Sequence, residues 1–171
     1  MNVRLGFLGL MVMGMAVAQA GTVVHLERRN PVAKSTAWAT ARQGAVAGFP
    51  PGIYEGILVG PDGSLLEGTS SNFYAILDGT LRTAGDDRVL HGIARRILLE
   101  VAPGLLPVKR EGAPVGEIGR FQEAMLTSSG RGVVPIVEID GHRLGGGQPG
   151  PMTLRLRAAY DAWAEAHLQP I

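Results

Sequence analysis

The chain has 171 residues, 46% of them hydrophobic and 18% charged, which is enough apolar material for one ordinary core and excludes the weakly hydrophobic, highly charged class that stays disordered. Sixteen basic against fifteen acidic residues leave a net charge of +1, which argues against a protein built mainly to grip nucleic-acid phosphates. There is no cysteine, so disulfides, thiolate metal sites and thiol nucleophiles are excluded, and His25, His91, His142 and His167 are scattered without metal-ligand spacing.

Arg4 precedes an uncharged, largely apolar run over residues 5–17, and Ala18-Gln19-Ala20 supplies small residues of the kind a signal peptidase accepts. The run is short and carries Gly6, Gly9 and Gly14, so a membrane span is not expected. Residues 1–21 are therefore set apart as an apolar remnant or signal-like segment, and residues 22–171 are expected to form one domain.

Residues 22–26 read as a short strand, and residues 35–46, alanine-rich with Trp38 and Arg42, as a short helix stopped by Gly48 and Pro50-Pro51. Strands follow at 54–59, 64–67 and 72–77, with Pro61-Asp62-Gly63 as one turn and Asp78-Gly79 as a tight hairpin turn into 80–83. This is an antiparallel meander. Over 91–101 the apolar residues Ile93, Ile97, Leu98 and Val101 keep helical spacing, with Arg95, Arg96 and Glu100 on the opposite face and Pro103-Gly104 as the stop. Strands return at 106–110, 123–126 and 133–139. A glycine-rich loop then leads to a final helix with Met152, Leu156, Ala159, Trp163 and Ala166 on one face.

Fourteen of the sixteen basic residues are arginine, so lysine-based covalent chemistry has two candidates, Lys34 and Lys109. Lys34 sits between Pro31-Val32-Ala33 and Ser35-Thr36-Ala37-Trp38, a setting without a neighbouring charge in which burial would favour the neutral, nucleophilic amine. Glu67 ends a strand and opens the polar loop Gly68-Thr69-Ser70-Ser71 before Asn72-Phe73. Gly92-Ile93-Ala94 opens a helix whose free N–H groups and dipole suit a phosphate, and Thr127-Ser128-Ser129-Gly130 is a second plausible anion cup. Taken singly, these are also what a surface lysine, an ordinary turn and a polar loop look like.

Taken together and in order, Lys34, Glu67 to Phe73, Asp78 to Thr83, Leu90 to Arg95, Thr127 to Ser129 and Pro135 to Asp140 resemble the fold type IV pyridoxal-phosphate enzymes. This family holds branched-chain and D-amino-acid aminotransferases and 4-amino-4-deoxychorismate lyases. The lysine-to-glutamate interval of 33 residues also suits it. The resemblance implies an α+β fold, an antiparallel or mixed β pseudo-barrel with flanking helices, and pyridoxal 5'-phosphate as cofactor. It implies that Lys34 forms the Schiff base with the cofactor and shuttles the substrate proton, and that Glu67 contacts the pyridine nitrogen. Leu90 is implied to pack on the ring. The turn at Gly92, the backbone amides of Ile93 and Ala94, and the Ser128-Ser129 cup are implied to hold the phosphate. Asn72 is expected to brace the loop, and Lys109 matches nothing catalytic.

Two departures stand out. Ala94 replaces the hydroxyl residue that many relatives carry after Gly-Ile, and the smaller domain that precedes the lysine domain in the family, with its phosphate-binding arginine, has no counterpart here. Residues 22–171 thus resemble the large cofactor-binding domain alone. The expected activity is transfer of an amino group from an amino acid to a 2-oxo acid. The alternatives are elimination of pyruvate from aminodeoxychorismate, or a catalytically inert domain. Small amino and oxo acids, a homodimeric family form and a cytoplasmic setting are expected, with export as the alternative if residues 1–20 are a leader. Neither nucleic acid nor membrane is expected as a partner.

Overall fold

The computed structural model describes residues 19–26, 28 and 30–167, so the signal-like reading of residues 1–18 lies outside the described residues. In chain order the elements are β1 (Gln19–Val24), α1 (Thr36–Ala47), β2 (Ile53–Val59), β3 (Leu65–Gly68), β4 (Asn72–Leu77), β5 (Thr80–Arg82), α2 (Ile93–Val101), β6 (Val108–Lys109), β7 (Glu123–Ser128), β8 (Gly132–Ile139), β9 (His142–Arg143) and α3 (Pro151–Ala166).

Six strands run in the order β3-β2-β1-β8-β7-β4, and pairing of β3 with β4 closes them into a barrel. The barrel is mixed: β1 is parallel to both β2 and β8, whereas β2–β3, β3–β4, β4–β7 and β7–β8 are antiparallel. The expected meander is present in β2 to β5. It turns at Asp78-Gly79, where both residues have positive φ, 50° and 68°, the twist that a two-residue hairpin needs. β5 and β6 extend the sheet beyond β4, and β9 hangs on β8.

Three sequence expectations are corrected here. β1 begins at Gln19, so residues 19–21, grouped with the apolar leader, belong to the barrel: Gln19 pairs with Ile136 and Ala20 with Ile53. Gly21 is itself buried. Arg95, placed on the outer face of its helix, is fully buried, because its guanidinium donates to Thr83 Oγ1 (2.7 Å), the Ala84 carbonyl (2.7 Å) and Asp86 Oδ1 (2.8 Å). Three acceptors and a counter-charge offset its desolvation. The strand expected over 106–110 shrinks to two residues, and a 3₁₀ segment, Val115–Arg120, had no signal in the hydrophobic periodicity.

Period-two alternation divides the core. Phe73, Ala75 and Leu77 of β4 join Ile57, Leu65, Leu126 and Ile136 in a cluster to which every barrel strand contributes, which places it in the barrel interior. Tyr74 and Ile76 face the other way, with Met125, onto Ile97 and Leu98 of α2 and Leu156 and Tyr160 of α3. These two helices cover the outside of the sheet. α1 differs: none of its residues is buried. Among the described residues no helix is long and apolar enough to cross a membrane.

Candidate active site

One end of the barrel opens into a cleft of about 360 Å³ bordered by the β3–β4 hairpin, the start of α2, the end of β7 and the segment leading into α1. Its rear wall is fixed by the barrel. Glu67 and Asn72 are direct partners across β3 and β4, and both are buried. Glu67 Oε2 accepts the Leu90 N–H (3.0 Å) while Asn72 Nδ2 donates to the Leu90 carbonyl (2.8 Å). A single strand pair thus clips both backbone polar groups of Leu90, setting the loop that launches α2. A Cβ on Gly92 would lie 2.5 Å from Asn72 Oδ1, so the loop can pass this closely only as glycine.

Gly92 is the N-cap of α2 and supplies no side-chain cap. The first-turn amides, those of Ile93 and Ala94 included, have no acceptor within the helix, and they sit at the positive end of its dipole. Ala94 is buried at the cleft wall, whereas the Ile93 side chain is 63% exposed and turned away from it, leaving only its amide as a candidate. Opposite, Thr127 shares a hydrogen bond with Tyr74 Oη (3.1 Å), and burial pushes the Tyr74 phenol up to about 12. Ser128 and Ser129 follow on the cleft border.

Glu67 is under opposing influences. Burial raises its pKa, while the Leu90 amide and the Arg28 guanidinium, 2.8 Å from Oε1, pull against that rise; burial prevails. Arg28 has no role in the sequence reading, and it proves to be a hub. It also donates to the Ala33 carbonyl (2.8 Å) and stacks 5.3 Å from the Trp38 ring centroid. No local pattern marks such a residue, because its carboxylate partner lies 39 positions away.

The front wall carries Lys34. It lines the cleft but is exposed, so the buried setting expected from its apolar sequence neighbours is not found. The reason is that the turn at 30–33 and the helix after it pack against little. Ser35 caps α1 by accepting the Trp38 amide (3.2 Å), and the Trp38 indole donates to the Thr69 carbonyl (3.2 Å), tying α1 to the β3–β4 hairpin. Lys109 lies at the far edge of the sheet, on β6. Of the sequence-selected residues, Lys34, Glu67, Asn72, Leu90, Gly92, Ala94, Ser128 and Ser129 all border the one cleft.

Two further side chains here had no sequence signal. Glu55 of β2 is buried behind the hairpin, accepting from Thr69 Oγ1 (2.9 Å) and from the Ser70 amide and hydroxyl. Arg131, beyond β7, reaches Glu55 and both serine-bearing loops. Among the described residues no cluster of His, Asp or Glu could hold a metal ion.

Pyridoxal 5'-phosphate fits this donor set. Two buried polar atoms on the cleft lining, Ser71 Oγ and Arg28 Nε, have no hydrogen-bond partner among the described residues, and the start of α2 is uncapped. A polar, anionic ligand would satisfy such groups.

The amino-transferase class IV family model matches residues 25–139. The chain is 31% identical over 106 residues to D-alanine aminotransferase from Staphylococcus aureus (strain N315), covering 61% of this chain and 38% of that protein. It is 34% identical over 135 residues to branched-chain-amino-acid aminotransferase from Pseudomonas aeruginosa, covering 75% and 43%. Among solved structures, the branched-chain aminotransferase from Thermoproteus uzoniensis with norvaline superposes with a TM-score of 0.75 at 25% identity, over 90% of this chain and 59% of that one. The T.th. branched-chain amino acid aminotransferase complexed with N-(5'-phosphopyridoxyl)-L-glutamate gives 0.73 at 26%, over 88% and 53%. The chain thus spans less than two thirds of each of these proteins.

Proposed function

The chain belongs to the amino-transferase class IV family, and from that premise we propose that its cleft holds pyridoxal 5'-phosphate and serves transfer of an amino group from an amino acid to a 2-oxo acid. What supports this reading is one arrangement: Lys34, Glu67, the uncapped start of α2 and the Ser128-Ser129 hydroxyls border the same cleft. The curated relatives named above are both aminotransferases, which favours transfer over elimination.

When bound, the cofactor supplies an electron sink for the pair left behind when the substrate Cα loses its proton. Lys34 brings the lysine amine to the cleft border and would hold the cofactor covalently. The same amine, when free, would take the proton from the substrate Cα and pass it to the C4′ carbon of the cofactor. Its exposure leaves it room to move between the two tasks.

Glu67 would hold the proton of the ring nitrogen. Its two oxygens already accept from Arg28 and Leu90, yet each carboxylate oxygen has capacity for a further donor. Leu90, clipped at both its backbone groups, would wall one ring face. The amides of Ile93 and Ala94 with Ser128 and Ser129 would surround the phosphate, and Ser71 Oγ, a buried hydroxyl without a partner among the described residues, adds a donor to the lining.

The test is borohydride reduction of the protein loaded with pyridoxal phosphate, followed by peptide mapping. Label on Lys34 is expected. Label on Lys109, or on neither lysine, would overturn the reading. A panel of D- and L-amino donors with pyruvate or 2-oxoglutarate then reads the substrate class.

A further inference from the structure

The β3–β4 hairpin and the loop after β7 face each other across the cleft, and one arginine bridges them. Arg131 donates through Nε to Ser128 Oγ (2.9 Å) and through Nη2 to Ser70 Oγ (3.0 Å), with Nη1 on Tyr54 Oη (2.8 Å). Its guanidinium lies 5.2 Å from the Tyr54 ring centroid and 3.4 Å from Glu55 Oε2. Glu55, 3% exposed, is the anchor: besides Arg131 it accepts from Thr69 Oγ1, from the Ser70 amide and, with both oxygens at 3.0 Å, from Ser70 Oγ.

Only a planar fork of several N–H groups can serve Ser70, Ser128, Tyr54 and a carboxylate at once. Ser70 and Ser128 are both on the cleft border, whereas Arg131 is not; it borders a second cavity of about 390 Å³, shared with Arg42 and Tyr54, on the far side of Thr69 and Ser70. It therefore acts on the cleft through the two serines.

We propose that Arg131, anchored on Glu55, is a positioning residue that sets the spacing between the hairpin and the Ser128-Ser129 loop, and thereby the cleft's discrimination in favour of a phosphorylated ligand. This rests on the reading of the cleft as a pyridoxal-phosphate site. Loss of the fork releases the hydroxyl cup on one side while leaving Lys34, Glu67 and Leu90 in place, so the cost falls on the phosphate and not on the ring.

The measurement is a pair of equilibrium titrations, followed by absorbance, of the full chain with pyridoxal phosphate and with pyridoxal, which lacks the phosphate. Arg131→Lys keeps the charge but not the fork, and is expected to weaken pyridoxal phosphate about 10-fold, the scale of one lost hydrogen bond to a charged group, with pyridoxal unchanged. Glu55→Gln, which keeps the shape and one acceptor, is expected to shift the same ratio by less.

An unchanged ratio in Arg131→Lys overturns the proposal, as does equal weakening of both ligands, which marks general loosening. If Arg131→Lys does not fold, the ratio in Glu55→Gln decides alone, and no shift there overturns the proposal. Borohydride labelling of Lys34 in the unaltered chain reports separately on the reading beneath. Labelling present with an unchanged ratio sinks only the role of Arg131.

Discussion

The two helices that meet the cleft are held in opposite ways. α2 presents its free amides from a helix whose Ala94, Arg95, Ile97 and Leu98 are buried against the sheet. α1 follows Lys34 directly and buries no residue; it is held by its Ser35 cap, by the Trp38 indole on Thr69 and by the stacking of Arg28 on Trp38. The rear of the cleft is thus made by the folding of the barrel, while the front is attached to it by a few polar contacts. Damage behind should cost stability, and damage in front should cost chemistry.

The sharpest way to break this contrast is to remove one basic residue from each side. Arg95→Ala deletes a large buried side chain and leaves the Thr83 hydroxyl and Ala84 carbonyl without their donor, for an expected loss of about 3–5 kcal/mol in urea unfolding. Lys34→Ala removes an exposed side chain and should change stability by less than about 0.5 kcal/mol while abolishing borohydride labelling. Similar losses from the two variants would mean that the front wall is as deeply built into the fold as the rear.

The rear wall should also carry an acid sensitivity that the front lacks. Asp86 is held below the ordinary carboxylate range, first by the hydrogen bond from Arg95 and then by the charge of Arg110. A lowered folded-state pKa gives stability that is complete above the unfolded value, roughly 3.9, and is lost as pH falls through the folded one. Asp86→Asn should therefore flatten the decline of stability below about pH 4. Part of the decline remains, because Asp62, paired with Arg88, is displaced in the same direction. Glu67 runs the other way: burial raises it, so its contribution is greatest in acid and fades as pH rises through its folded value. An unchanged acid limb in Asp86→Asn would remove that residue from the account.

This asymmetry also explains what could be read from the sequence. Short apolar runs mark β2, β4 and β8, the turns at Asp78-Gly79 and Asp140-Gly141 mark the hairpins, and six short motifs in register carry the family and its barrel. Those signals are local. Closure of the barrel depends on β1 lying parallel between β2 and β8, which no periodicity in β1 encodes, and its first residues are hidden by their likeness to a peptidase site. Arg95 reads as a solvent-face residue because its charge is visible in the sequence, whereas the fold that sets its partners at 83, 84 and 86 beneath it is not. Arg28 with Glu67, and Arg131 with Glu55, meet across 39 and 76 positions, and a single sequence holds no trace of such pairs.

The finest test concerns α1 alone. Gly44 sits in its interior, and a Cβ there would meet no atom within 4 Å, so alanine adds no clash and removes backbone entropy from the unfolded chain. The helix should gain about 0.5–1 kcal/mol, which slows exchange of its amide hydrogens about 2- to 5-fold. In the unaltered protein those amides should already exchange well before the amides of α2, because α1 can open without exposing any buried apolar side chain, whereas α2 cannot. The order of exchange carries the argument, since Gly44→Ala stabilises the native state relative to every opening that includes α1. If α1 and α2 exchange at the same free energy before the substitution, both walls open only together, and the polar contacts of Arg28, Ser35 and Trp38 bind the front as firmly as the core binds the rear.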